Sequence, residues 1–134
     1  MHGAARRRKT MRSIIAGFVI AFSPLLVEAG AAADEAGAEA FNNSCRTCHS
    51  WKQGDNRLGP SLHGVIGRKA GSAEGFNYSG AMKSSGITWD EASLDKFIAN
   101  PEAAVPNNNM KPFTGVGDAA TRKKIIDFLK SNPN

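Results

Sequence analysis

The 134 residues contain only two cysteines, Cys45 and Cys48. Without a third there is no disulfide framework of the kind that staples small secreted domains, and no second ligand pair for a zinc ribbon. A bridge between the two would close too short a loop to restrict the unfolded chain much, because that gain grows with loop length. Tyrosine occurs once, at Tyr78, and beyond the first few residues histidine occurs only at His49 and His63. No apolar run reaches the length of about 20 residues that a membrane-spanning helix needs.

The charge is unevenly placed. The whole chain has 17 basic and 12 acidic residues, but residues 1–33 hold five of the former and one of the latter, which leaves the remainder near neutral at +1. A nucleic-acid-binding domain wants a basic stripe on its folded part, and that support is gone. Arg6 to Lys9 and Arg12 precede an apolar stretch from Ile14 to Val27, and small residues Ala29 to Ala33 follow. This order is that of a secretory signal peptide, expected to be cleaved after Ala31 or Ala33, with Met11 an alternative start. An uncleaved anchor is the competing reading; Pro24 and Glu28 weaken it. One domain is expected at 34–134, near the size at which a protein core alone is marginal.

The two cysteines belong to the run Cys45-Arg46-Thr47-Cys48-His49. A C-x-x-C pair can also be a thioredoxin-type redox couple, but that requires a βαβ context. With histidine directly after the second thiol, the spacing suits two thioether bonds to the vinyl groups of one haem and an imidazole on the iron. An exported chain with this motif reads as an electron carrier.

Three segments have helical period. Asp34 to Asn43 places Ala36, Ala40 and Phe41 on one face; Trp89 to Ala99 places Leu94, Phe97 and Ile98 at i, i+3 and i+4; Asp118 to Lys130 repeats this with Ile125, Phe128 and Leu129. Thr88 followed by Glu91 is a capping-box pattern, Pro101 stops the second helix, and Asp118 can cap the third. Residues 50–87 are glycine-rich with little period, a loop expected to wrap around the cofactor. The fold class is therefore all-α.

A second axial ligand could come from His63, Met82 or Met110. Met110 stands out by its Pro-led loop, Val105 to Phe113, and a soft thioether favours reduced iron; a methionine is otherwise ordinary core filling.

From Asp34 onward the chain resembles the class I cytochromes c of the mitochondrial and bacterial c2 type. The resemblance is carried by Cys45 to His49, Leu58 to Lys69, Gly75-Phe76-Asn77-Tyr78, Gly86-Ile87-Thr88-Trp89, Asn100-Pro101, and Val105-Pro106 leading to Met110. It implies the class I fold around one covalent haem c, attached through Cys45 and Cys48, with His49 and Met110 as iron ligands. It further implies that the Pro60 carbonyl accepts the other imidazole N–H, that Arg68, Tyr78 and Trp89 hold the haem propionates, and that Gly37 and Phe41 cross the last helix near Ile125 and Phe128. His63 and Met82 are then structural.

The chain departs from that pattern at Phe97, where a tyrosine is common, at Met82, where an asparagine is common, and at Asn107-Asn108-Asn109, with Pro112 inserted. Several positions of the lysine ring around the haem edge are neutral or acidic, Asn109 and Glu102 among them, leaving Arg46, Lys52, Arg57, Lys83 and Lys111 as a thinner ring. The resemblance implies a monomeric periplasmic carrier, not an enzyme. It would dock transiently on membrane complexes, between a bc1-type quinol-oxidising complex or dehydrogenase and an oxidase or other redox protein. Two competing readings are a haem peroxidase in which Met110 leaves the iron, which lacks a clear distal acid or base, and a permanently bound electron-accepting subunit.

Overall fold

The computed structural model describes residues 29–132. The leader proposed for residues 1–33 lies outside them through residue 28, and residues 29–33 form the start of the first helix. The elements in order are α1 (Ala29–Ser44), α2 (Gly80–Ser84), α3 (Glu91–Ala99), α4 (Pro101–Ala104) and α5 (Ala119–Ser131). All regular structure among the described residues is helical, apart from one antiparallel bridge between Lys69 and Thr88. No described helix is long and apolar enough to cross a membrane.

The three periodic segments are helices, with two corrections. The first begins at Ala29, five residues before Asp34, and it buries Gly37 with Ala40 and Phe41 while Ala36 is only half-buried. The second is capped by Asp90 rather than Thr88: Asp90 accepts the Ser93 N–H at 2.7 Å, and the Ser93 hydroxyl accepts the Asp90 N–H at 2.9 Å. Thr88 lies too far back to do this: the pairing with residues 67–70 runs on through Trp89, whose N–H donates to Arg68 and whose carbonyl accepts from Gly67, so the first helical residue is Glu91. Asp118 caps α5 through the Thr121 N–H at 2.7 Å. Asn100 ends α3 and caps α4, its side chain accepting from Ala103.

Terminal helices α1 and α5 cross tightly. Phe41 and Ile125 are fully buried, and Phe41, Trp51 and Phe128 form a mutual aromatic cluster with ring centroids 5.3 to 5.6 Å apart. Burying one such side chain contributes about 1.5–3 kcal/mol, with roughly 0.5–1.5 kcal/mol more for a well-oriented aromatic pair. Gly37 permits the approach: a Cβ there would lie 2.7 Å from the Phe128 Cβ and 3.0 Å from the Lys124 carbonyl oxygen. Helix α3 is tied to α5 by Arg122, which donates to Asp95 at 2.7 Å and to the Val116 and Gly117 carbonyls. The consequence is a frame in which α1, α3 and α5 stand around the chain between them.

Gly37→Val is expected to lower stability by about 1–3 kcal/mol, since the helices must separate to admit the side chain; an unshifted denaturant midpoint would refute the close crossing. The caps make an acid prediction. Hydrogen bonds from the hydroxyl and N–H of Ser93 lower the Asp90 pKa, and those of Thr121 lower that of Asp118, each from an ordinary 3.8. The unfolded chain therefore takes up these protons first as pH falls, so the stabilisation is present above about 3.8 and is lost as pH drops through the lower folded values. Replacing both by Asn, which still caps but does not titrate, should flatten the melting temperature against pH below that point.

Candidate haem site

Between the helices and the long loop lies a cavity of about 480 Å³, large enough for a sizeable ligand. Cys45, Cys48, His49, Pro60, Arg68, Tyr78, Trp89 and Met110 all line it, although they span 66 positions of the chain from first to last. His63 does not line it; Met82 and Phe97 do. Much of the wall is apolar, with Leu94, Ile98, Ile125 and Leu129 facing it from α3 and α5.

Helix α1 delivers the thiols. Its end is extended by turns in which the Cys45 and Arg46 N–H groups donate to Phe41 and the His49 N–H donates to Cys45. Both cysteines are free. Burial, with Cys48 alongside, pushes the Cys45 thiol up to about 12. A reactive redox cysteine or a zinc thiolate needs the opposite shift, so this environment disfavours both readings.

His49 is buried at 6 % exposure. Its Nδ1 lies 2.8 Å from the Pro60 carbonyl oxygen, which can only accept, so Nδ1 carries the proton and Nε2 keeps its lone pair. Nε2 has no protein partner among the described residues. Burial lowers the imidazole pKa, the Pro60 carbonyl opposes this, and the Arg68 charge lowers it further; the ring is held neutral, the form that binds metals. Gly59 makes room for it: a Cβ there would fall 2.3 Å from a ring carbon.

Arg68 is half-buried and has no carboxylate partner among the described residues. Its two terminal nitrogens donate to the carbonyls of His63 at 2.8 Å and Ser61 at 2.9 Å, so the guanidinium also pins the loop that carries Pro60. Burial lowers its pKa and Tyr78 opposes this. The Tyr78 hydroxyl accepts from Ala73 N–H at 3.3 Å and keeps its own proton free for another acceptor. Trp89 is buried against Phe97, centroids 5.1 Å apart, and its indole N–H makes no hydrogen bond to a described residue. A buried cation and buried donors are normally paired. Around this one cavity, among the described residues, an imidazole lone pair and an indole N–H have no partner, a guanidinium has no anion and a phenol proton has no acceptor, a set that fits an apolar macrocycle bearing a metal and acidic substituents.

Met110 lies on the segment after α4, its N–H donating to the Asn108 side chain at 2.8 Å. Asn107 has φ +64°, a conformation asparagine tolerates better than most residues. Leu58, 78 % exposed on the cavity rim, and Phe113 were not singled out by the sequence. Leu58 stands beside the motif glycine and proline, but nothing in its spacing marks it as a rim residue.

Residues 35–133 match the family model for cytochrome c. The chain is 44% identical over 96 residues to cytochrome c2 iso-2 of Magnetospirillum molischianum, covering 72% of this chain and 98% of that one. It is 41% identical over 125 residues to cytochrome c2 of Rhodomicrobium vannielii, 90% of this chain and 94% of the relative. The solved cytochrome cH from Methylobacterium extorquens superposes with a TM-score of 0.67 at 41% identity, over 73% of this chain and 97% of that one. With a motif for two thioether links at the mouth of a cavity shaped by these helices, the chain belongs to the cytochrome c family, as a class I member of the c2 type, an electron carrier whose cofactor is covalently bound haem c.

Proposed function

We propose that the protein is a monomeric one-electron shuttle of the periplasm, its mature domain 34–134 released from a cleaved leader, with His49 and Met110 as the two axial ligands. It takes electrons from a quinol-oxidising complex of the bc1 type or from a dehydrogenase and passes them to a terminal oxidase or another redox protein. The observation that carries this reading is the oriented, neutral imidazole of His49, its Nδ1 spent on Pro60, lining the same cavity as the Met110 thioether.

Bound haem c supplies a ferrous–ferric couple, and a His/Met pair raises its potential. The chain's own residues then have distinct tasks. Cys45 and Cys48 form the thioethers. Pro60 orients His49 and makes it a stronger donor. Arg68, Tyr78 and Trp89 take the acidic substituents, while the apolar wall from α3 and α5 excludes water. With His49 and Met110 both holding the iron, no position would be left for a substrate, and electrons would pass through the cofactor edge. Phe97 and Met82 add no hydrogen-bond donor to the cavity, which supports a carrier rather than a peroxide-activating site.

Docking is expected to depend little on charge. Of the five rim candidates, Arg57 is paired to Asp55 at 3.0 Å and Lys111 to Glu102 at 3.5 Å. The exposed Leu58 stands where a partner would approach the cavity mouth.

The oxidised protein from periplasmic extracts should show the weak long-wavelength band of sulfur bound to ferric haem, and Met110→Ala should abolish it and lower the potential. A high-spin spectrum in the parent, or a band that survives the substitution, overturns the ligand assignment. Electron transfer to isolated membranes should fall less than about tenfold between 50 and 200 mM salt, because screening acts on unpaired rim charges and only Arg46, Lys52 and Lys83 of the five are unpaired among the described residues. Leu58→Glu should slow the same reaction at every salt concentration; a steep salt dependence with no effect of Leu58→Glu would show a charge-steered interface instead.

A further inference from the structure

The segment carrying Met110 is held from outside the cavity by a single carboxylate. Glu102, in the first turn of α4, accepts the Asn107 N–H on Oε1 at 3.0 Å and the Asn108 Nδ2–H on Oε2 at 3.2 Å. Lys111 Nζ lies 3.5 Å from the same Oε2. Glu102 therefore grips the chain on both sides of Met110. Asn108, 3 % exposed, is the link inward: its Nδ2 also donates to the Val105 carbonyl at 2.9 Å, and its Oδ1 accepts the Met110 N–H at 2.8 Å. Glu102 is itself fixed, since the preceding Pro101 is buried and Asn100 caps α4.

These contacts are unequal. The Lys111 pair is exposed on both sides and contributes little. The bonds to Asn107 and Asn108 are charge-assisted, and Asn108 is buried, so removing the carboxylate loosens a φ-positive turn and unpairs a buried amide together.

We infer that Glu102 and Asn108 form a brace that positions the Met110 thioether, so that Glu102, a residue that touches neither the cofactor nor its ligands, controls how readily an external ligand takes the methionine's place. This rests on Met110 being the axial ligand, as proposed above. It also accounts for an acidic side chain at this position: the carboxylate is turned to the loop.

The test uses the ferric holoprotein, with imidazole as the competing ligand and amide hydrogen exchange as a second readout. In Glu102→Ala, imidazole should bind roughly tenfold tighter, and the Asn107 and Met110 amides should exchange roughly tenfold faster, the loss expected for a hydrogen bond to a charged acceptor. The Ile125 and Leu129 amides in α5 should not change, which separates a local effect from unfolding. Glu102→Gln, whose carbonyl still accepts the Asn107 N–H, should recover much of the difference, and Lys111→Ala should behave as the parent. Unaltered imidazole affinity in Glu102→Ala overturns the brace whether or not the amides move, as does Lys111→Ala reproducing the effect. If imidazole binds the parent without displacing a methionine band, the ligand assignment fails and the brace with it. A normal band displaced equally in parent and variant refutes the brace alone.

Discussion

The hydrogen bond from His49 Nδ1 to the Pro60 carbonyl sets the requirements for much of the chain from 49 to 68. For that carbonyl to face the ring, the peptide before it must pass directly against the imidazole, and Gly59, with no Cβ, is what can pass. The peptide after it is held in turn: the Ser61 N–H donates to Asn56 Oδ1 at 2.9 Å, and its hydroxyl donates to the Lys52 carbonyl at 2.6 Å. Arg68 then reaches back to the carbonyls of Ser61 and His63. A loop with no repeating backbone pattern is thereby fixed by side chains at four points, each within a few residues of Pro60. Its irregularity follows from the job of presenting one carbonyl at one angle.

A second constraint is size. A domain of about 100 residues has little apolar surface to spare, and here the same side chains serve twice. Leu94, Ile98, Ile125 and Leu129 belong to the buried core and also form the cavity wall. The α1–α5 crossing is cemented by Phe41, Trp51 and Phe128, which belong to a part of the hydrophobic cluster that does not face the cavity. Helix packing and cofactor burial are consequently coupled through α3 and α5, while α1 supplies both the crossing and, at its end, the covalent attachment.

The long helices and the attachment motif were legible because each is a local pattern: apolar period along Leu94, Phe97 and Ile98, an aspartate before Thr121, two thiols and an imidazole in five residues. Thr88 misled because capping chemistry is necessary but not sufficient; the residue was committed to an extended bridge with Lys69, information that lies 19 positions away. Helices α2 and α4 are one turn each, too short to show a period. The resemblance to a family brought Pro60, Arg68, Tyr78 and Trp89 together as cofactor contacts, and the fold brings all four to one cavity. What it could not convey was the second duty of Arg68 in pinning the Ser61 to His63 turn, which depends on where two backbone carbonyls point. Glu102 was legible only as a charge of the wrong sign for a lysine ring, because its bonds to Asn107 and Asn108 depend on the turn between them.

The two sides of the cavity solve the same problem differently. On the histidine side a polar contact inside the wall, Nδ1 to Pro60, orients the ring. On the methionine side a thioether accepts hydrogen bonds weakly, and Phe97 and Met82, which line the cavity with it, carry no donor. Orientation there has to come through the backbone. The buried Asn108 amide and the Glu102 carboxylate provide it by fixing the peptide groups that lead into Met110. An apolar wall and a strongly hydrogen-bonded outer loop are thus two halves of one arrangement: the polar groups sit behind the backbone, where they order the loop without adding a donor or an acceptor to the cavity.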